Sequence, residues 1–583
     1  MKLSDYVIDF LAEKNINYVF EVVGGSLAHL IDSLYNNNYI KTVSMHHEQA
    51  AAFAAEGYSR ASGNFGVALA TSGPGATNLI TGIGSCYFDS IPCLFITGQV
   101  NTYEFKFNKQ IRQNGFQETD IVNIVKPIVK YAKLVTEPKK IKYYLEKAIF
   151  IARNGRPGPV LLDIPLNIQR EDVNVNEMKT FISKNIKEIT DSFFNNISEA
   201  IKLIIGSKRP IFLLGGGMRL SNSIKEFIDL ENKLNFPVVT TLMGLDSFDH
   251  ENPNFFGMIG TYGNRYANLA IANADLIIAL GTRFDTRQTG TNPKTFARYA
   301  KIIHVDIDPN ELNNKIKADI AINCDIKIFL KLLIKKLNGF NIPIINEWKE
   351  KINNYKRKYP SFDISKDEKI IPNQFIDILS GFLPENCIIC ADVGQVQIWS
   401  AQILKLKSSQ RFLTQGGMGA MGSALAMGIG ASFSQKNEIP IIVISGDGGF
   451  QLNIQELQTV YHHNLPIKII ILNNSCYGMV KQFQEQYFNS RFQSTLIGYS
   501  APDFKKIAEA YKLKALKVTK TSELKNSLKK LFYNLEPMLL EIKIDNSCKA
   551  LPKLSVNMPI EDQEPYLSRK ELKSNMIVPI NKE

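Results

Sequence analysis

Residues Ile439 to Met479 read IPIIVISGDGGFQLNIQELQTVYHHNLPIKIIILNNSCYGM. Two short runs rich in Ile and Val, Pro440 to Ser445 and Ile467 to Leu472, predict buried parallel strands, and Asn453 to His463 predicts the crossover helix between them. Parallel strands place both following turns at one edge of a sheet. There Asp447, the Asn474 side chain and a loop carbonyl near Cys476 can converge on a hard cation, leaving positions for phosphate oxygens and a water. Gly446, Gly448 and Gly449 let the backbone approach phosphate, and a helix start favours anions. The stretch thus reads as a magnesium-diphosphate site. A GDG alone also fits an ordinary βαβ turn; the Asn pair at the next strand end favours the site.

Outward from this stretch, 583 residues at 45% apolar composition suffice for about three domains with full cores. The formal charge of +12 is spread over scattered Lys and Arg rather than a basic run, which argues against nucleic acid as a partner. MKLSDYVIDFLAEKNINYVF carries Asp5, Asp9 and Glu13 within its apolar pattern and predicts an amphipathic helix, not a signal peptide. The longest charge-free window, Phe412 to Gln435, is dense in Gly, Ser and Ala, which suits close core packing better than a lipid span. Neither a membrane segment nor secretion is expected. Seven cysteines lie mostly in apolar runs, and Cys387 and Cys390 fall on opposite faces of a predicted strand. Reduced thiols in a cytoplasmic protein account for them.

The first and last thirds echo one another. NFGVALATSGPGATNLITGIGSCYFDSIPCLFITGQ and IPIIVISGDGGFQLNIQELQTVYHHNLPIKIIILNN both read strand, Gly turn, helix, Pro, strand. RPIFLLGGGMRL, ADLIIALGTRFD and KIIHVDIDPNEL between them predict a third set of strands with Gly-rich or acidic ends. The polar stretches Arg170 to Asn195 and Asn341 to Asn373 are expected to be linkers. In HHEQAAAFAAEGYSR, Ala51, Ala52 and Ala55 fall at helical spacing from Glu48, so its carboxylate shares a small, apolar face.

GDGG followed by NN, with NNSCYGMVKQFQE around it, resembles the cofactor motif of thiamine diphosphate enzymes, and in particular acetolactate synthase catalytic subunits and their close relatives. HHEQAA, TSGPGATN, SIPCLFITGQV, GFQETD, GRPGPV, VGQVQIW and GGMGAMG extend the resemblance over nearly the whole chain. It implies an α/β protein of three doubly wound parallel-sheet domains: pyrimidine-binding (1–170), central FAD-type (196–340) and diphosphate-binding (372–548), with a tail at 549–583. By resemblance, Glu48 shares a proton with the cofactor's aminopyrimidine, Gly24 and Gly25 match the backbone turn near that ring, and Phe116 and Gln117 match residues that reach the reaction centre from a neighbouring loop. Met421 resembles the apolar wedge beneath the bent cofactor. Gln395 resembles a diphosphate contact beside Val396, where the synthases usually carry His, and Met479 belongs to the same cofactor set. Gly216, Gly217, Arg283 and Asp306 resemble the FAD-binding residues, with Tyr262 where His is usual.

The implied reaction is decarboxylation of pyruvate and addition of the two-carbon unit to a second carbonyl substrate, a 2-oxo acid in branched-chain amino-acid synthesis. Two departures leave the acceptor open. Leu166 replaces a Lys common in the synthases, and Phe483 replaces a Trp of their acceptor pocket. The tail looks closer to relatives associated with surface polysaccharides, so acetyl transfer to a nucleotide-linked keto sugar is one alternative. A pyruvate oxidase-type flavin oxidoreductase is another. The family's site lies between subunits, which implies a homodimer or homotetramer, with a regulatory small subunit as a further possible partner.

Overall fold

A computed structural model describes residues 1–107, 109–183, 191–362 and 368–581. Three six-stranded parallel sheets carry the chain. The first contains β1 (Tyr18–Val22), β2 (Lys41–Ser44), β3 (Gly66–Ala70), β4 (Cys93–Gln99), β5 (Tyr131–Leu134) and β6 (Val160–Pro165), in the order β2-β1-β3-β4-β6-β5. The second contains β7 (Pro210–Leu214), β8 (Val238–Thr240), β9 (Phe255–Met258), β10 (Leu276–Leu280), β11 (Lys301–Asp306) and β12 (Ile320–Asn323), in the order β12-β11-β10-β7-β8-β9. The third contains β13 (Ile388–Ala391), β14 (Arg411–Leu413), β15 (Ile441–Gly446), β16 (Ile467–Asn473), β17 (Lys514–Val518) and β18 (Met538–Lys543), in the order β14-β13-β15-β16-β18-β17. Renumbered from its own first strand, the third order equals the first, so the echo heard in the sequence is an identity of topology. The middle sheet has the doubly wound order of dinucleotide-binding folds.

Strand residues alternate between two apolar layers. Ile441 and Val443 of β15 join one buried cluster while Ile442 and Ile444 join another on the opposite face. Cys390 and Cys387 divide in the same way, as expected from their spacing. The first cluster also holds Ala50–Ala55, so the first and third domains share one core. Its centre is the crossing of the helices Glu48–Ser62 and Ser423–Ser434. A Cβ on Gly430 would stand 1.8 Å from the Ala54 carbonyl oxygen, and one on Gly57 would stand 2.1 Å from that of Met427. The small residues of the charge-free window are there for this backbone contact. Among the described residues, no helix is long and apolar enough to cross a membrane.

Two expectations about local structure need correction. The stretch Asn341 to Asn373 is not simply a linker: it contains the helix Asn346–Lys358, whose Trp348, Ile352 and Tyr355 enter the middle-domain core at helical spacing. The crossover expected over Asn453–His463 is a 3₁₀ segment, Gln451–Glu456, followed by the shorter helix Leu457–His462. Asn453 leaves helical geometry at φ −135° because its side chain donates to the Gly422 carbonyl at 2.8 Å. The tail returns to the middle domain through β19 (Lys553–Leu554), β20 (Gln563–Glu564) and the helix Arg569–Asn575, and places Ile560 and Leu572 in that core.

Candidate active site

In a doubly wound sheet the strand order reverses at one point, and a crevice opens there beyond the carboxyl ends. In the third domain this point lies between β13 and β15. β13 ends at Asp392 to Gln395, β15 at Gly446 and Asp447, and neighbouring β16 at Asn473 and Asn474, with Gly446 level with Leu472. Asn474 donates to Gln395 Oε1 at 3.2 Å and accepts from the Cys476 backbone N–H at 3.2 Å. Asp447, 1% exposed, accepts from the Tyr499 hydroxyl at 2.8 Å. Burial pushes its carboxyl above the ordinary range, and the hydroxyl and backbone bonds offset only part of this, with Lys543 acting at longer range. Such a desolvated carboxylate suits a cation.

The donor set fits magnesium only together with a ligand. Among the described residues no cluster of three or more His, Cys, Asp and Glu could hold a metal. One carboxylate, one amide oxygen and a loop carbonyl leave half an octahedron for phosphate and water. The Cys476 thiol, raised to about 11 by burial, stays protonated, so only its backbone is available. The three glycines of the GDGG turn separate in role. A Cβ on Gly446 would meet nothing within 4 Å, so this residue opens on the crevice. Gly448 is instead required by Tyr477, 2.5 Å from such a Cβ, and Gly449 by Asp392 Oδ2 at 2.2 Å. The Val396 side chain is buried in the apolar core beside Trp399, so Val396 offers the crevice only backbone.

Asp392 was missed in the sequence. Buried at the end of β13, it accepts from the Gly422 N–H at 2.9 Å and the Ser445 hydroxyl at 2.8 Å, tying together three loops around the crevice. Met421, half-buried, precedes Gly422 on this support.

The reversal in the first domain lies between β1 and β3. β1 leads to Gly24 and Gly25, and β3 to the TSGPG turn. A Cβ on Gly25 would meet nothing within 4 Å, whereas one on Gly24 would stand 2.4 Å from Thr71 Cβ, so Gly24 serves packing. Glu48 opens its helix, 9% exposed, with Oε2 accepting from Asn78 Nδ2 at 2.9 Å. A Cβ on Gly75 would come 3.1 Å from Glu48 Oε1, and one on Gly73 would come 2.9 Å from Gln117 Cβ. Glu48 and Gln117 therefore meet on one glycine turn. Gln117 has φ +64°, a conformation uncommon outside glycine. The face expected from Ala51, Ala52 and Ala55 is only part of the burial, since Ala50, Phe53 and Ala54 are enclosed by the second helix. Two turns on from Glu48, fully buried Glu56 has its carboxyl pushed up to about 7 by desolvation against the pull of Arg60. It accepts from Ser85 at 2.9 Å.

At the middle domain's own reversal point, between β7 and β10, lies a cavity of 860 Å³ that is closed by first-domain residues such as Arg60 and Arg156 and by Arg411 of the third domain. Gly216, Gly217, Arg283 and Asp306 all line it. A Cβ on Gly217 would stand 2.7 Å from Gly281 Cα, so the two strand ends meet backbone to backbone. Burial raises the Asp306 carboxyl to about 6. Volume, glycine cradle and a strand-end carboxylate fit a dinucleotide. A smaller cavity of 380 Å³ brings Met479 and Phe483 together with Tyr262 and the tail; Leu166 does not line it.

The geometry defines a cofactor enzyme with two half-sites on twin α/β domains. Three family models match it: "Thiamine pyrophosphate enzyme, N-terminal TPP binding domain" over residues 1–124, the central domain over 197–333, and the C-terminal TPP binding domain over 392–542. The chain belongs to the thiamine pyrophosphate enzymes. It is similar to the "Probable acetolactate synthase large subunit" of Methanocaldococcus jannaschii, with 39% identity over 95% of this chain and 93% of the relative. The "Acetolactate synthase large subunit" of Cyanidium caldarium is 37% identical over 94% of each chain, and that of Lactococcus lactis 36% over 95% and 94%. Within the family the chain is therefore of the acetolactate synthase type, and the keto-sugar and oxidase alternatives are not favoured.

Proposed function

We propose that the protein joins a two-carbon unit from pyruvate to a second 2-oxo acid, with thiamine diphosphate held through Mg²⁺ and FAD in the middle domain. The observation that carries this is the desolvated Asp447 beside Asn474 and Gln395 at the β13/β15 reversal, in a chain whose relatives are acetolactate synthase subunits. Bound thiamine diphosphate supplies a carbon nucleophile that also accepts the electron pair left by decarboxylation.

The protein's own groups have separable tasks. Asp447 and Asn474 would hold the cation, with the Cys476 carbonyl, and Gly446 would admit diphosphate oxygens. Asn78 occupies Glu48 Oε2, which leaves Oε1 to hold or release a proton toward the aminopyrimidine ring. Gly25 and Gln117 would border the reacting carbon, and half-buried Met421 would support the cofactor's bend. Gly216, Gly217, Arg283 and Asp306 would hold the flavin dinucleotide.

A second copy would complete the site. Val23, Phe116, Met418 and Leu452 are 63%, 84%, 42% and 49% exposed, and they flank residues of both half-sites. Apolar groups concentrated around two incomplete crevices favour burial against another subunit. Incubation with thiamine diphosphate, Mg²⁺ and pyruvate, with and without 2-oxobutyrate, followed by mass identification of products, tests the reading. Acetolactate and its ethyl homologue are expected. Acetyl phosphate or free acetate as the sole product would refute it.

A further inference from the structure

The loop that carries Gln117 is anchored to a buried carboxylate that the proposed chemistry does not use. Asp163 stands in β6 opposite Thr97 of β4 and is 1% exposed. Its Oδ1 accepts from the Thr97 hydroxyl at 2.7 Å and its Oδ2 from Gln99 Nε2 at 2.9 Å. The same Gln99 nitrogen donates to the Thr119 carbonyl at 2.7 Å, and Gln99 Oε1 accepts from the Val100 N–H at 3.0 Å. Turning this amide over would break its bonds to Asp163, Thr119 and Val100 together.

Thr119 is two residues from Gln117. Between them, Glu118 accepts from the backbone N–H groups of Lys106 at 2.8 Å and Asn114 at 2.9 Å, so both residues that follow Gln117 are tied down. The φ of +64° at Gln117 persists because its neighbours are fixed in this way. The same strand end also supports the other turn of the crevice: a Cβ on Gly98 would stand 2.2 Å from the Ser26 carbonyl oxygen, beside Gly25. β4 therefore joins the Gly25 turn to the Gln117 loop, and Asp163 orients the side chain through which it does so. Burial pushes the Asp163 carboxyl up to about 7, while the Thr97 and Gln99 bonds pull it back and the Asp120 charge raises it. Thr97 and Gln99 face it from β4, Asp120 acts from the loop, and on the β5 side the Val135 N–H donates to its backbone carbonyl at 2.8 Å. In its ionised form both side-chain bonds are charge-assisted, about twice as strong as neutral ones.

We propose that the Asp163 carboxylate is a positioning group for the reaction: it locks the Gln99 amide and, through Thr119, the loop that presents Gln117. Its effect on turnover rests on the carboligase reading above, whereas its effect on the loop needs no cofactor.

The test compares the native protein with Asp163→Asn, which keeps the shape and both bonding partners but carries no charge, and with Gln99→Leu, which loses the Thr119 bond. In cofactor-free native protein, hydrogen-exchange protection of the amides of residues 114–121, corrected for intrinsic exchange, should rise about 5-fold from pH 6 to pH 8 as the carboxylate ionises. Asp163→Asn should stay near the pH 6 level at both values, and Gln99→Leu should fall below it. With thiamine diphosphate, Mg²⁺ and pyruvate, native kcat should rise over the same range while half-saturating pyruvate changes less than about twofold, and Asp163→Asn should lack that rise. Protection that rises equally in Asp163→Asn would overturn the assignment. So would a lower urea midpoint in that variant at pH 8 with kcat reduced equally at both pH values, which would mark Asp163 as structural. Native protein that releases no carbon dioxide from pyruvate would refute the carboligase reading alone, because the exchange result is read without cofactor.

Discussion

Replacing Asp447 by Asn should stabilise the cofactor-free protein and abolish its stabilisation by the cofactor. Asp447 has a raised folded pKa because burial outweighs its hydrogen bonds to Tyr499 and backbone. Between the ordinary carboxylate range and that raised value the native state holds more protons than the unfolded state. Stability therefore falls as pH rises through this window, and above it the full cost of the buried charge remains. Asn removes the charge and keeps the shape. With native protein, thiamine diphosphate and Mg²⁺ at 100 times the dissociation constant should add about 2.7 kcal/mol. In Asp447→Asn the cation loses its one anionic protein ligand, so nearly all of that gain should vanish. Isothermal urea denaturation at pH 5 and pH 8, with and without cofactor and metal, reads both effects. A variant that keeps the full cofactor-dependent gain would show that Asp447 does not hold the cation.

Glu48→Gln should retain thiamine diphosphate binding yet slow hydrogen exchange at the thiazolium carbon by about two to four orders of magnitude; an unchanged rate would remove Glu48 from proton transfer. Gly430→Ala forces a methyl group to 1.8 Å from the Ala54 carbonyl oxygen, so the helices must separate. About 1–3 kcal/mol or more of stability should be lost, seen as a lower urea midpoint, and an unchanged midpoint would contradict the crossing. Native discrimination between 2-oxobutyrate and pyruvate should be weak, and Phe483→Trp should change it by about 1–3 kcal/mol because the enlarged ring fills the 380 Å³ cavity. Competition between the two acids measures this, and identical ratios would remove Phe483 from the acceptor wall.

What the sequence made legible was local and periodic. Ile441–Ile444 and Ile467–Leu472 announce β15 and β16 by composition, and parallel pairing then brings Asp447 and Asn474 to one edge. The Gly-Ala window could be read as core but not as a helix crossing, because the carbonyl oxygens it approaches lie hundreds of residues away. Asp392, Tyr499 and Asn78 escaped notice for the same reason: each is a single polar residue whose partner is distant in sequence. Gly448 and Gly449 were read as admitting phosphate, and Tyr477 and Asp392 give each a packing reason to be glycine as well. A glycine reports that space is short, not what fills it. The helix Asn346–Lys358 was hidden because Trp348, Ile352 and Tyr355 form a narrow stripe within an otherwise charged segment.

Strand order explains why one chain opens crevices of two unlike kinds. The outer domains share an order that reverses beside their first strand, and each opens a crevice there. One crevice presents Glu48 and Gly25, the other Asp447 and Gly446, so the half-sites differ in chemistry while their positions are equivalent. The middle order reverses between β7 and β10 and opens its cavity where Gly217 meets Gly281, apart from both half-sites. The tail returns from the third domain to pack Ile560 and Leu572 into the middle core. Docking it there also fixes Lys553 against the helix Gly478–Tyr487, because β19 is pinned by the Leu554 N–H donating to the Thr261 carbonyl. The crevices thus follow from where each sheet reverses, and the 380 Å³ cavity is walled in part by a segment outside all three sheets. Variation in the tail can accordingly reshape that cavity while leaving the strand ends that carry Glu48 and Asp447 in place.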